Sequence, residues 1–221
     1  MTTTDSPRVV QHRGRARDRV LKDLRRMILT HELAPGAVVT EASLVEVLKC
    51  SRTPLREDLQ SLSHEHLVIA VPGRGVSIAD LGIVEFGAII EAELSVECPL
   101  VRLAAERISD ERIAELDELL RRAHAAAAVG DVPEVVDFDF QFHTAWGAAC
   151  GNHLLLEFQT MLLRLVARYV YLGFQRAGNQ EGAISDHQKI LEALRRRDPD
   201  SAEMAIRAHI ANGRERMRSA L

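Results

Sequence analysis

The chain has 221 residues, 47% of them hydrophobic and 27% charged, with a formal net charge of −4. That apolar content supports a sizeable core and excludes global disorder, and the length accommodates two modest domains. Three cysteines, Cys50, Cys98 and Cys150, show no paired spacing, which excludes a disulfide framework and points to a reducing compartment.

Residues 1–14 read as a flexible tail. Its first ten residues are polar and lack the apolar stretch of a signal peptide, so a cytoplasmic location is expected. Arg13, Arg15 and Arg17 can touch phosphate or simply be solvated. Val20, Leu24 and Ile28 then recur every four residues, with Leu21 beside them, and predict an amphipathic helix of roughly 15 residues. Leu33-Ala34-Pro35-Gly36 ends it with a turn signal. Thr40 is placed to cap a second helix over Glu41–Leu48, with Leu44, Val47 and Leu48 as its buried stripe. After a short break at Lys49-Cys50, Ser51 is placed to cap a third helix by accepting a bond from a backbone N–H of the first turn. Pro54 falls in that turn, where a missing N–H costs little, and Leu55, Leu59 and Leu62 form the buried face. Two short helices joined by a tight turn make a helix-turn-helix. Arg52 and Arg56 share one face near the N-terminus of the third helix. That end of a recognition helix meets base edges and phosphates in the major groove, although two solvated arginines on an ordinary capped helix have the same spacing. Leu67–Val71 and Val76–Ile78 flank Pro72-Gly73-Arg74-Gly75, a hairpin that would form a wing with Arg74 at its tip. Residues 15–79 therefore read as a winged helix-turn-helix. Residues 1–80 hold 12 Lys and Arg against 10 Asp and Glu, a net of +2, which leaves −6 for the remainder.

From residue 80 strand signals disappear. Helical patterns run over about 82–107, 110–129, 133–149, 152–176, 181–197 and 199–220, separated by breakers such as Gly130-Asp131, Gly151-Asn152 and Asp198-Pro199-Asp200. The expected fold is mainly α, with an antiparallel bundle of about six helices over 80–221. Pro99 should kink the first of them. The helix at 152–176 is apolar on most sides, which places it centrally or at a subunit interface; Glu157, Gln159, Arg164 and Arg168 argue against a membrane span. Asp139 and His143 are four apart on one predicted helix, His187 lies on a later one and His209 on the last. Three imidazoles and a carboxylate suit zinc, nickel, cobalt or manganese, yet spacing alone equally fits four residues that never converge.

The stretch from Leu33-Ala34-Pro35-Gly36 through Cys50-Ser51-Arg52-Thr53-Pro54-Leu55-Arg56-Glu57 to Pro72-Gly73-Arg74-Gly75-Val76 resembles the winged helix-turn-helix of GntR-type transcriptional regulators. Asp139-Phe140-Gln141-Phe142-His143, Gly151-Asn152-His153-Leu154-Leu155, His187 through Leu194 and Ala202 through His209-Ile210 resemble the effector-binding FCD domain of the FadR/VanR branch of that family. The resemblance implies DNA contacts from Arg52, Arg56 and Gly75, and Thr53 and the hairpin-tip Arg74 are candidate contacts beside them. It implies a divalent metal, with zinc, nickel or manganese foremost, on Asp139, His143, His187 and His209. It also implies a homodimer on an inverted-repeat operator and a small-molecule metabolite effector, with Glu93, Glu97, Arg164 and Arg168 as candidate pocket residues beside Tyr169. Ala42 stands where the family often has a DNA-contacting arginine, and Lys49 where it usually has glycine, so the second helix is expected to end without a relaxed left-handed residue. Glu93 stands where many relatives have an arginine that holds an effector carboxylate.

The function read from this sequence is a metabolite-responsive transcriptional regulator, a repressor by the usual mode of the family, and not an enzyme. Two alternatives remain at this stage. One is a metal-dependent hydrolase on a helical bundle, with Glu93 or Glu97 as its base. The other is a metal-free sensor of acyl-CoA type, which the full set of four ligands argues against.

Overall fold

The structure, a computed structural model, describes residues 19–218; the tail expected over 1–14 and the arginines at 13, 15 and 17 lie outside them. Among the described residues, nine helices and three strands form two compact units that divide between Asp80 and Leu81.

In the N-terminal unit, α1 (residues 19–29) buries Val20, Leu24 and Ile28, the face that the four-residue spacing requires. Strand β1 (Val38–Val39) leads into α2 (Glu41–Leu48), where Thr40 Oγ1 accepts the Ser43 N–H at 3.1 Å. Leu44 and Leu48 are buried, but Val47 is 60% exposed and does not belong to the inward stripe assigned to it. A helix of eight residues shows the core only a narrow face, and Val47 lies off it. The turn after α2 contains Lys49 at φ 49°, ψ 47°. The helix thus ends on a left-handed residue, and because that residue is not glycine, its Cβ crowding costs about 1 kcal/mol.

Ser51 is the extended N-cap of α3 (Arg52–His64), but its hydroxyl makes no capping bond, contrary to the sequence reading. The cause is in the sequence. A capping oxygen bonds the second or third N–H of the helix, and the third residue here is Pro54, which has none. Leu55, Leu59 and Leu62 are buried as expected. Strands β2 (Val68–Val71) and β3 (Gly75–Ile78) pair antiparallel, from Val68 opposite Ile78 to Val71 opposite Gly75. β1, which the sequence reading missed, pairs with the other side of β3 and gives the order β1-β3-β2. The Arg74 N–H donates to Val71 O at 2.9 Å, closing a turn with Pro72 second and Gly73 third at φ 71°. Pro there and glycine at positive φ are the demands of a type II turn. Gly75 is fixed by β1 itself, since a Cβ at this residue would lie 2.2 Å from Val39 O.

The C-terminal unit is the antiparallel bundle, α4 (Ile83–Arg107), α5 (Asp110–Ala128), α6 (Val132–Ala148), α7 (His153–Ala177), α8 (Gln180–Arg195) and α9 (Pro199–Arg218). Its starts follow local chemistry. Ser109, Asp131 and Asn152 accept first-turn N–H groups of α5, α6 and α7. α4 continues through Pro99 as one helix. It packs on α9 and α7, α5 packs on α6 and α8, and α8 packs on α9. The middle of α7 is the apolar spine, with Leu162, Leu163, Val166, Val170 and Phe174 buried, whereas Leu154 and Phe158 near its start are exposed. Among the described residues, no helix is long and apolar enough to cross a membrane.

Candidate metal centre and nucleic-acid interface

Asp139 and His143 project from one face of α6, His187 from α8 and His209 from α9. The packing of these helices brings one ligand atom of each within 4.8 Å of all the others. His143 Nε2 is 3.2 Å from His187 Nε2, and His187 Nε2 is 3.2 Å from Asp139 Oδ1. Ligand atoms about 2.0–2.2 Å from one ion sit roughly 2.8–3.6 Å apart along octahedral or tetrahedral edges, so these two separations fit a single divalent cation. His209 Nδ1 is buried without a hydrogen-bond partner.

The orientation of His143 is imposed from outside the four. Its Nδ1 lies 2.9 Å from Glu97 Oε1 on α4, and the same oxygen accepts Gln159 Nε2 from α7 at 3.0 Å. Gln159 Nε2 also donates to the His143 carbonyl at 3.2 Å. A proton held on Nδ1 leaves the Nε2 lone pair facing His187, the tautomer that metal coordination needs. Electrostatics keep the group poised. Burial pushes the His187 and His209 imidazoles toward their neutral forms, and mutual repulsion pushes His209 further. Burial acts the same way on His143, but the Glu97 carboxylate outweighs it and raises that imidazole. Burial would raise the Asp139 carboxyl too, yet its hydrogen bond with His187 and the histidine charges hold it low.

Asp139, His143 and His209 border a cavity of about 30 Å3. Glu93 and Glu97 line it, together with Val166, Val170, Phe174 and Arg216. Burial, then the nearby Glu97 and Asp139, push the Glu93 carboxyl well above its usual range. Arg164 and Arg168 lie outside the lining. The Arg164 guanidinium stands over the Phe140 ring, 5.8 Å from its centroid, and Arg168 is buried in α7. Tyr169 is buried against Phe86 and donates to Gly82 O at 3.3 Å. Sequence reasoning missed two residues of this region. Arg216 lies seven residues after His209, two helical turns along the same face, a spacing that could have found it. Gln159 was visible as a polar interruption of α7, but its bond to Glu97 depends on how three helices pack.

On the N-terminal unit, Arg52, Thr53, Arg56 and Arg74 are exposed, the first three on α3 and the last at the hairpin tip. Arg56 Nε bonds both Glu41 oxygens, at 3.0 and 2.8 Å, which tethers the guanidinium while its Nη groups remain uninvolved in that pair. Gly75 has a steric role in the sheet whether or not it also meets DNA.

Comparisons with known proteins divide the chain in the same way. Residues 16–78 match the family described as bacterial regulatory proteins, gntR family, and residues 88–212 match the FCD domain. The HTH-type transcriptional repressor GlaR of Escherichia coli (strain K12) is 33% identical over 165 residues, covering 71% of this chain and 75% of the relative. The HTH-type transcriptional repressor RspR of the same organism is 26% identical over 201 residues, covering 90% and 87%. Among solved structures, E. coli McbR/YncC shares the fold with a TM-score of 0.83 at 21% identity, over 92% of this chain and 97% of that one. A transcriptional regulator GntR from Rhodococcus sp. RHA1 does so with a TM-score of 0.75 at 22% identity, over 93% and 98%.

Proposed function

This chain belongs to the GntR family of bacterial regulatory proteins and carries an FCD domain, and on that premise we propose that it is a metal-dependent, metabolite-responsive repressor. The N-terminal unit takes the DNA. Arg52 and Arg56 are read as entering the major groove from the start of α3, with Thr53 beside them and Arg74 and Gly75 on the flanking backbone. A homodimer would set two such units on an inverted-repeat operator. Repression is the mode that the names of GlaR and RspR carry.

The observation that carries the sensing half is the convergence of Asp139, His143, His187 and His209 within 4.8 Å beside a cavity. These four would hold a divalent ion, with zinc, nickel or manganese as the candidates. Such an ion supplies a Lewis-acidic anchoring point for donor atoms of a small molecule. The protein's own residues do the rest. Glu97 and Gln159 fix the His143 ring, and α7 lines the cavity with Leu163, Val166, Val170 and Phe174. An effector bound there changes operator affinity only if it binds the DNA-competent and DNA-incompetent arrangements unequally. The small volume of the cavity and the carboxyls of Glu93 and Glu97 in its lining favour this reading over a long acyl chain, and the family match favours it over a hydrolase.

The test is elemental analysis of tag-free protein beside its His143→Ala variant. The expected result is about one metal per chain in the wild type, falling below a tenth of that in the variant. Wild-type protein that stays metal-free after reconstitution would remove the metal from the model. An operator-retardation assay at moderate salt tests the DNA half independently, and loss of sequence preference in Arg52→Ala is the expected outcome.

A further inference from the structure

Apart from the four proposed ligands, the charged groups lining the cavity are Glu93, Glu97 and Arg216. Arg216 Nη1 is 3.3 Å from Asp186 Oδ2, so this cation already has an acidic neighbour inside the fold. Of the two carboxyls, Glu97 has the His143 imidazole beside it and Glu93 has no such partner. They lie four residues apart on one face of α4. Glu97 commits Oε1 to His143 and Gln159, while its Oε2 is buried with no partner. Glu93 is 5% exposed and makes no hydrogen bond or ion pair among the described residues. Buried polar groups nearly always find a partner, so acceptors left open at a cavity wall mark the place where a bound molecule supplies one. With or without its proton, Glu93 keeps at least one oxygen that needs a donor. A carboxylate ligand brings no donor and adds negative charge beside Glu97 and Asp139. The cavity has room for about two waters, so its occupant is a small polar group.

We propose that the effector presents hydrogen-bond donors, ammonium or hydroxyl, to Glu93 and Glu97, so that the site selects amino- or hydroxyl-bearing small molecules against simple carboxylates. This deepens the reading of the cavity as the effector site and rests on it. The donor end of the effector faces α4, and Glu93 acts as the specificity-determining residue.

The experiment is a ligand-observed NMR titration of full-length protein with methylammonium, ethylene glycol and acetate, zinc-loaded and metal-free, with metal content measured in every sample. The expected result is that at least one donor probe binds about tenfold more tightly than acetate, the worth of one charge-assisted hydrogen bond. Which of the two binds separates ammonium from hydroxyl recognition. Glu93→Gln, which keeps the shape, and Glu93→Leu, which removes every acceptor, should each lower that preference at unchanged metal content. A preference that persists in protein unable to take zinc sustains the donor class while removing the metal. Acetate binding as tightly as the donor probes, no binding by any probe, or metal loss in Glu93→Gln overturns the proposal.

Discussion

His143 has both ring nitrogens in use, and only one of them faces the other proposed ligands. The carboxylate on the far nitrogen therefore controls the near one. Replacing Glu97 by Gln keeps the volume but removes the charge that holds a proton on Nδ1. We expect metal affinity to fall about 10- to 100-fold, measured by competition with a chelator of known affinity; an unchanged constant would mean that Glu97 is mere packing. This role was not legible in the sequence. Asp139 and His143 declare themselves as a same-face pair through their spacing, whereas the arrival of His187 and His209 depends on how α8 and α9 pack. Glu97 read as a pocket residue because its partner lies 46 positions away. The same distance effect concealed the Arg56–Glu41 pair, which joins α3 to α2 across 15 residues.

Between elements, the most consequential approach is that of α6 to α7 at Gly147. A Cβ there would lie 1.9 Å from Gln159 Oε1. The obstructing side chain is fully buried and bonded to Glu97 and to the His143 carbonyl, so moving it costs about 1–3 kcal/mol, more than the helix preference of alanine over glycine returns. Gly147→Ala should therefore lower the melting temperature by a few degrees while displacing Gln159 from Glu97. The expected outcome is severalfold weaker metal binding in a protein that still folds. Full retention of affinity would show that Gln159 does not transmit to His143. Helix ends were largely legible, because breakers and caps such as Asn152 are local in origin. The failures were local as well. Strand β1 is two residues long, too short to display alternation. The expected Ser51 cap is not made, and one of the two N–H groups it could bond is missing because the third residue of α3 is a proline.

For the whole chain, the two compact units imply two unfolding reactions. An ion held only by folded α6, α8 and α9 stabilises the C-terminal unit by mass action and leaves the other untouched. Scanning calorimetry of full-length protein should show one transition falling by several degrees on chelation, by about 2–4 °C for each kcal/mol lost, while the other stays in place. Equal shifts in both would place the ion elsewhere. The division itself was legible, since strand signals stop near residue 80 and the two parts differ in charge.

The distribution of aromatic residues has an optical consequence. No Phe, Tyr or Trp precedes Phe86, and the chain has one tryptophan. Trp146 is fully buried, with its ring centre 5.7 Å from that of His143. The N-terminal unit is therefore dark under tryptophan excitation, and the only indole sits beside an imidazole of the C-terminal unit. If the proposed site takes a metal, the emission of Trp146 should change as it fills, so that occupancy could be followed without a label, even with unlabelled DNA present.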